Sequence, residues 1–251
     1  MAMTYYPLDS FAGLYQMQAN GVTTDPIASP AGIPGRLEIV DDPLGRRGRV
    51  VRAQMWDTDI DNYGGVRAEM RLENMVNGEY WWQWYAMVDA VPPSGQTIVY
   101  NQIHKEGVVI DATEPWLLNL KNSAVQPVVP ATAMATSYAV KYGQTAPIEF
   151  SKWHKYTLHM ILQDASATGL RELYVDDVCV YREPNVVTAY TANKGYLKLG
   201  IYDYAHAGGF GFCRAYFSGL TLYTGAMSPN AIMDVRPPKT VTLRPSPGIP
   251  G

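Results

Sequence analysis

From Val66 to Glu73 the chain alternates strictly. Val66, Ala68, Met70 and Leu72 are apolar, and Arg67, Glu69, Arg71 and Glu73 between them are charged. Successive side chains of an extended strand point to opposite faces, so this pattern predicts a strand with one face in a core and the other in water. Tyr196 to Tyr204 repeats the plan, with Leu197, Leu199 and Ile201 on the apolar side and Tyr196, Lys198, Gly200, Tyr202 and Tyr204 opposite. Ile98 to His104 reads as a third strand. Strict alternation gives it Ile98, Tyr100, Gln102 and His104 on one face, and Val99, Asn101 and Ile103 on the other. Arg49–Trp56, Tyr80–Val88, Trp116–Lys121, Tyr156–Gln163 and Tyr216–Tyr223 are further strands, rich in β-branched and aromatic residues. Glu172–Val175 and Val178–Tyr181 form a hairpin around the acidic pair Asp176-Asp177.

No segment longer than about two turns has helical periodicity. Many short strands punctuated by Gly, Pro and Asn predict an all-β fold, a sandwich of antiparallel sheets of the jelly-roll kind. One domain is expected over residues 1–227. Gln126–Pro147 carries a single charge, Lys141, and three prolines, and reads as a long loop over one face of the sandwich. Ser228–Gly251 holds six of the 18 prolines and reads as an extended C-terminal arm, with neighbouring subunits as what would hold it.

Composition narrows the function classes. Lys and Arg number 20 against 23 Asp and Glu, a net charge of −3 that suits neither a phosphate backbone nor any other nucleic-acid surface. No run approaches the ~18 apolar residues of a membrane-spanning helix. Two cysteines, Cys179 and Cys213, are too few for a disulfide scaffold or a cysteine zinc cluster, and Cys179 is expected to be a small buried residue of a strand. The first basic residue is Arg36, so no charged region precedes an apolar one as in a Sec signal. A cytoplasmic location in the producing cell is expected, with release inside a virus particle as one exit route.

Three of the predicted strands carry reactive side chains, in the order Arg67-Ala68-Glu69-Met70-Arg71, Gln102-Ile103-His104 and Tyr196-Leu197-Lys198-Leu199-Gly200-Ile201-Tyr202. This set resembles the three signatures of alginate lyases, roughly R-[ST]-E-L, Q-[IV]-H and Y-F-K-A-G-x-Y. The last block is closer still to the related glucuronan and heparin lyases, and Pro115–Leu120 and Trp153–Asp177 fit the same group. Ala68 replaces the usual Ser or Thr, Met70 the usual Leu, and Leu197 and Leu199 the usual Phe and Ala; none of these is a proposed chemical group. The resemblance spans roughly residues 45–225 and implies a β-jelly roll that cleaves an acidic, uronate-containing polysaccharide by β-elimination. It further implies that Arg67 and Gln102 neutralise the uronate carboxylate with Lys198 adding positive potential. His104 or Tyr202 would take the C5 proton, and Tyr202 would protonate the leaving oxygen. Arg71, Tyr196 and Tyr204 are the substrate-binding candidates on the same faces.

Other signals carry less. Arg67, Glu69 and Arg71 also fit a solvated charge ladder. Asp57-Thr58-Asp59-Ile60-Asp61 looks like the start of a calcium loop, but Asn62 stands where the turn Gly belongs and Ala68 where the closing Glu belongs. It reads as an acidic inter-strand loop, and no cofactor is expected, with a calcium ion as the alternative. His154, His159 and His206 lack metal-ligand spacing. The run Tyr80-Trp81-Trp82-Gln83-Trp84-Tyr85 offers sugar-stacking rings, half of which alternation sends to the core. The alternative function is a non-catalytic virion protein, a capsid decoration or surface protein reusing the lyase-like jelly roll for assembly and glycan contact.

Overall fold

The computed structural model describes residues 2–61, 64–90, 97–105, 115–121, 123–130, 140–163, 168–188, 195–203 and 211–233. In chain order the strands are β1 (Ala2–Tyr6), β2 (Gln16–Ala19), β3 (Val22–Thr24), β4 (Gly32–Ile33), β5 (Leu37–Asp41), β6 (Arg49–Trp56), β7 (Val66–Met75), β8 (Gly78–Ala90) and β9 (Thr97–Lys105). They continue with β10 (Trp116–Lys121), β11 (Ala124–Pro130), β12 (Val140–Tyr142), β13 (Ala146–Pro147), β14 (His154–Leu162), β15 (Gly169–Val175), β16 (Val178–Val186), β17 (Gly195–Asp203) and β18 (Phe212–Thr224). One short helix, α1 (Pro229–Met233), follows. No helix of the described residues is long and apolar enough to cross a membrane.

Among the described residues the strands form two antiparallel sheets of nine. The first runs β16–β15–β14–β8–β18–β6–β5–β4, with β1 also on β18; the second runs β12–β11–β10–β9–β17–β7–β2–β3, with β13 on β11. Their facing surfaces enclose a single large core, giving the antiparallel β-sandwich that the alternation predicts. Trp82 and Trp84 of β8, Tyr156 and Leu158 of β14 and Phe217 of β18 enter it from one side. Met70, Leu118, Leu197 and Leu199 enter from the other. Tyr100 of β9 spans the two sheets, its ring 5.7 Å from that of Tyr156 and 5.5 Å from that of Phe217.

That contact corrects the expected facing of β9. Leu118 and Leu199, both core residues, stand directly opposite Asn101, and Leu197 and Trp116 stand opposite Ile103. Asn101 and Ile103 therefore face the core, yet Ile98 and Tyr100 do so as well. The pairing with β10 slips at this point: Leu118 pairs Asn101 and Asn119 pairs Val99. Tyr100 is the extra residue of a β-bulge, which places two successive side chains on one face. Beyond it the alternation resumes in the opposite phase, so Gln102 and His104 turn away from the core.

Three further expectations are corrected. Gln126–Pro147 is not a loop over a face, because β11, β12 and β13 extend the second sheet at its β10 side. Residues 131–139 lie outside the described residues. Ser228–Gly251 does not begin as an extended arm: Pro229–Met233 is helical, and Ile232 is fully buried against Trp81, Tyr174 and Tyr223 on the outer face of the first sheet. Residues 234–251 lie outside the described residues. Cys179 is exposed, because β16 is an edge strand that buries little of itself, whereas Cys213 is buried.

Gly200 fixes how closely β17 approaches β7. Its φ is +151°, and a Cβ built there lies 2.2 Å from the Ala68 carbonyl oxygen and 2.6 Å from Glu69 Cα. Gly200→Ala is expected to cost about 1–3 kcal/mol through backbone strain alone. For a chain of this size each kcal/mol lowers Tm by about 2–4 °C, so thermal unfolding by circular dichroism checks it. An unchanged Tm would show that β17 can move off β7 freely.

Candidate active site

β9, β17 and β7 are consecutive in the second sheet, so the three sequence blocks lie side by side. Lys198 pairs with Gln102 on one side and with Arg71 on the other, and Tyr202 pairs with Val99 and Arg67. Residues directly opposite in an antiparallel pair share a face. Arg67, Glu69, Arg71, Gln102, His104, Tyr196, Lys198 and Tyr202 therefore all occupy the surface of the sheet turned away from the core.

A carboxylate lies at the centre. Glu69 accepts hydrogen bonds from Gln102 Nε2 at 2.5 Å, Arg67 Nη1 at 3.2 Å and Lys198 Nζ at 3.2 Å, one from each of the three strands. Lys198 Nζ also donates to Gln18 Oε1 at 2.9 Å, which brings in β2. Arg67, Glu69, Gln102 and Lys198 are each no more than 3% exposed. A solvated charge ladder is thereby excluded, since these ions are packed and paired rather than bathed in water. Burial works to raise the Glu69 carboxyl, but Lys198, Arg67 and the Gln102 amide outweigh it and hold the group below its ordinary value. Two cations, Arg67 and Lys198, thus share one buried carboxylate, and a third, Arg71, lies on the same face beside Lys198.

Aromatic rings cover both ends of the row. At one end the Arg67 guanidinium lies 4.0 Å from the centre of the Tyr202 ring, and the Tyr202 hydroxyl donates to the Gly64 carbonyl at 3.4 Å. Burial, opposed by Arg67 and assisted by Glu69, pushes the Tyr202 phenol up to about 12. At the other end Arg71 lies 3.6 Å from the Tyr196 ring and 4.5 Å from the Tyr15 ring. His104 stacks on Tyr196, with centroids 4.9 Å apart and planes at 11°. His104 faces Tyr196 while Tyr202 faces Val99, so their backbones are offset by five residues of β9, the extra residue Tyr100 among them. Gln102 and Lys198 lie between them. Tyr204 lies outside the described residues.

Several contributors were not visible as such in the sequence. Glu69 belongs to the first signature block, but the sequence gives it no role there, and its place at the centre of the cluster comes from the pairing of the three strands. Asn101 has no motif. Its Oδ1 accepts from Trp116 Nε1 at 3.1 Å, and its Nδ2 donates to the Lys198 carbonyl at 2.9 Å, tying the backbone under Lys198 to the core. Gln18 and Tyr15 come from a stretch with no strand signal.

The remaining candidates have other roles. Asp59 receives Arg36 and the Trp56 amide, Asp57 the Gly211 amide, and Asp61 the Gly64 amide, so the carboxylates of the calcium-like segment bind the chain itself. Among the described residues no group of three or more His, Cys, Asp or Glu is arranged to hold a metal. The aromatic run belongs to β8 of the first sheet. Trp82 and Trp84 are core, and Trp81 stacks on His159 at 3.5 Å on the outer face. None of its rings lies on the charged face of the second sheet.

The model of the polysaccharide lyase family matches residues 10–221. Comparison of the chain with curated proteins gave no match. Among solved structures, the chain is similar to an endo-β-1,4-glucuronan lyase from the fungus Trichoderma reesei, at 13% identity over 88% of this chain and 95% of that one, with a TM-score of 0.67. It is similar to an alginate lyase from Pseudomonas aeruginosa at 16% identity over 85% and 99%, with a TM-score of 0.66. An alginate lyase from Klebsiella pneumoniae gives 12% identity over 88% and 97%, with a TM-score of 0.61. At these identities the likeness is one of fold, and it is the jelly-roll sandwich described above. Nothing in these matches supports the virion structural alternative. The family match takes in both sheets and all three strands of the charged face, and the chain belongs to the polysaccharide lyase family.

Proposed function

We propose that this protein cleaves a 4-linked, uronate-containing polysaccharide by β-elimination on the face formed by β7, β9 and β17. One observation carries the reading: two cations and an amide, one from each of these adjacent strands, gather round one buried carboxylate, with a phenol against the arginine. The C5 proton of a uronate is barely acidic while the neighbouring carboxylate is fully charged. Elimination therefore needs fixed positive charge and hydrogen-bond donors where the enolate develops. Arg67 and Gln102 neutralise the carboxylate and Lys198 adds positive potential, all three held in place by Glu69. Arg71 and Tyr196 bind the chain alongside.

A base removes the C5 proton, the C–H electrons form the C4–C5 double bond, and the C4–O4 bond breaks. The departing O4 takes a proton from Tyr202, whose phenol stays protonated at neutral pH because its pKa is about 12. His104 and Tyr202 flank Gln102 and Lys198, so a uronate held between them is met from two sides, and the epimer at C5 decides which of the two takes the proton. His104 serves as base where that proton points to its end. Where it points to the other, the minor fraction of Tyr202 ionised beside Arg67 takes the C5 proton and passes that same proton to O4.

The test is to incubate the protein with alginate, glucuronan, heparin and bacterial capsular polysaccharides and to follow the ultraviolet absorbance of unsaturated uronate ends. Signal on at least one polymer is expected, with His104→Ala impairing uronates of one C5 configuration more than the other. No signal on any of them, or wild-type rates from both His104→Ala and Tyr202→Phe, would sink the reading.

A further inference from the structure

The cationic row ends abruptly at Arg71. The next strand outward is β2, whose Gln16 pairs with Arg71, followed by β3. Beside this strand pair lies an open cavity of about 500 Å³ lined by Tyr15, Gln16, Thr23, Thr24 and Asp25. That volume falls in the range of small-molecule sites. Its lining contains no cation and one carboxylate, the reverse of the face beside it.

Two connections make this cavity continuous with the charged face. The Tyr15 amide donates to the Arg71 carbonyl at 2.9 Å, and the Arg71 guanidinium sits against the Tyr15 ring, itself 49% exposed. Gln16 accepts from Gln18 at 3.1 Å, and Gln18 accepts from Lys198, so a hydrogen-bonded chain runs from the cavity wall to the centre of the row. Strands lie about 4.8 Å apart, so β2 is about 10 Å from β17. A glycan crossing the strands therefore places in the cavity a sugar next to, or next but one to, the residue being cleaved.

We infer that this cavity is a subsite for an uncharged sugar, a neutral hexose or N-acetylhexosamine, and that the substrate is a mixed polymer in which such a sugar neighbours the uronate. The inference rests on the function proposed above. A ring face on Tyr15 and hydrogen-bonding side chains on Gln16, Thr23, Thr24 and Asp25 suit a polyhydroxylated, uncharged pyranose. A uronate there would bring its carboxylate against Asp25, while the cation beside the lining, Arg71, already stacks on the Tyr15 and Tyr196 rings.

Binding is read by calorimetry on the Tyr202→Phe chain, so that turnover does not interfere. The probes are saturated oligosaccharides of glucuronan, uniformly charged, and of hyaluronan and heparosan, in which glucuronate alternates with an N-acetylhexosamine. The alternating probes are expected to bind at least about tenfold more tightly. In that background Tyr15→Ala should erase the preference while Tyr15→Phe keeps it. Asp25→Lys should tighten the uniform probe several-fold. Asp25 is exposed and Tyr15 half exposed, and circular dichroism confirms that each variant is folded. Equal binding of both probe classes, with no change on Asp25→Lys, overturns the subsite while leaving the lyase reading intact. Failure of all these probes to bind overturns the subsite, and the lyase reading falls with it only if alginate and the capsular polysaccharides also yield no unsaturated ends.

Discussion

Phenylalanine in place of Tyr202 is expected to lower the rate of unsaturated-uronate formation by about 10²–10⁴, the usual worth of a positioned acid–base group. The sandwich should remain folded. The ring stays available to the Arg67 guanidinium, which lies 4.0 Å from its centre, and the hydroxyl's bond to the Gly64 carbonyl is long at 3.4 Å. Removing it should cost less than about 1 kcal/mol. The loss should fall on kcat and spare KM, because a proton delivered to the leaving oxygen is an interaction of the transition state. Steady-state kinetics on the best polymer, with a melting curve of the same sample, separates this from unfolding. A rate within threefold of the parent would remove Tyr202 from the chemistry and shift both proton transfers to His104.

The second large effect concerns Glu69. In Glu69→Ala the buried cations Arg67 and Lys198 lose their shared counter-ion, and the Gln102 amide loses its acceptor. Leaving a buried ion without its partner costs about 3–5 kcal/mol, or a fall in Tm of about 6–20 °C for a chain of this size. Activity should fall too, since the groups that neutralise the uronate would no longer be aimed. If Glu69→Ala melts with the parent, the cluster is not the tightly paired structure described. Adding Lys198→Met to Glu69→Ala should recover part of the stability and none of the activity.

The same carboxylate gives the protein an acid limb. Its folded-state pKa lies below the ordinary 4.5, so the stability it supplies is complete above about that pH. It is lost as the pH falls through the lower folded value, where the folded state too takes up the proton. Melting temperatures taken downward from pH 5 should therefore decline more steeply for the parent than for Glu69→Ala.

The sandwich was legible because its strands keep the period-two rule on the core side. Val66, Ala68, Met70 and Leu72 and then Leu197, Leu199 and Ile201 all face inward as alternation requires. The placement of Arg67, Lys198 and Tyr202 followed directly. What was not legible depended on neighbours distant in sequence. The bulge at Tyr100 exists because β10 and β17 pair on either side of it, and a tyrosine suits either face of a strand. Pro127 suggested a loop, yet it sits between the segment of β11 that pairs β13 and the segment that pairs β12, where no ladder N–H is required. Its carbonyl still accepts the Gly143 amide at 2.8 Å. Prolines likewise hid the seat of Ile232, whose partners Trp81, Tyr174 and Tyr223 come from three separate strands. Gln18 reached the site through a four-residue strand too short to leave a pattern.

The doubled step at Tyr100 and Asn101 gives β9 a place where the chain has slack. A relative lacking one of these two residues would straighten the strand and still spell the same outward face. Val99, Gln102 and His104 would then fall on alternate positions without a bulge. The cost would fall on the interior, as an aromatic between Tyr156 and Phe217 or the amide that ties Trp116 to the Lys198 backbone, and on the pairing with β17, where Leu199 faces Asn101 and Tyr202 faces Val99. One residue gained or lost between Gln102 and His104 has the opposite effect, because it sends one of the two into the core. Length changes along this strand are thus unequal in their meaning. Those before Gln102 trade packing, and those after it decide whether the protein keeps its polyanion face.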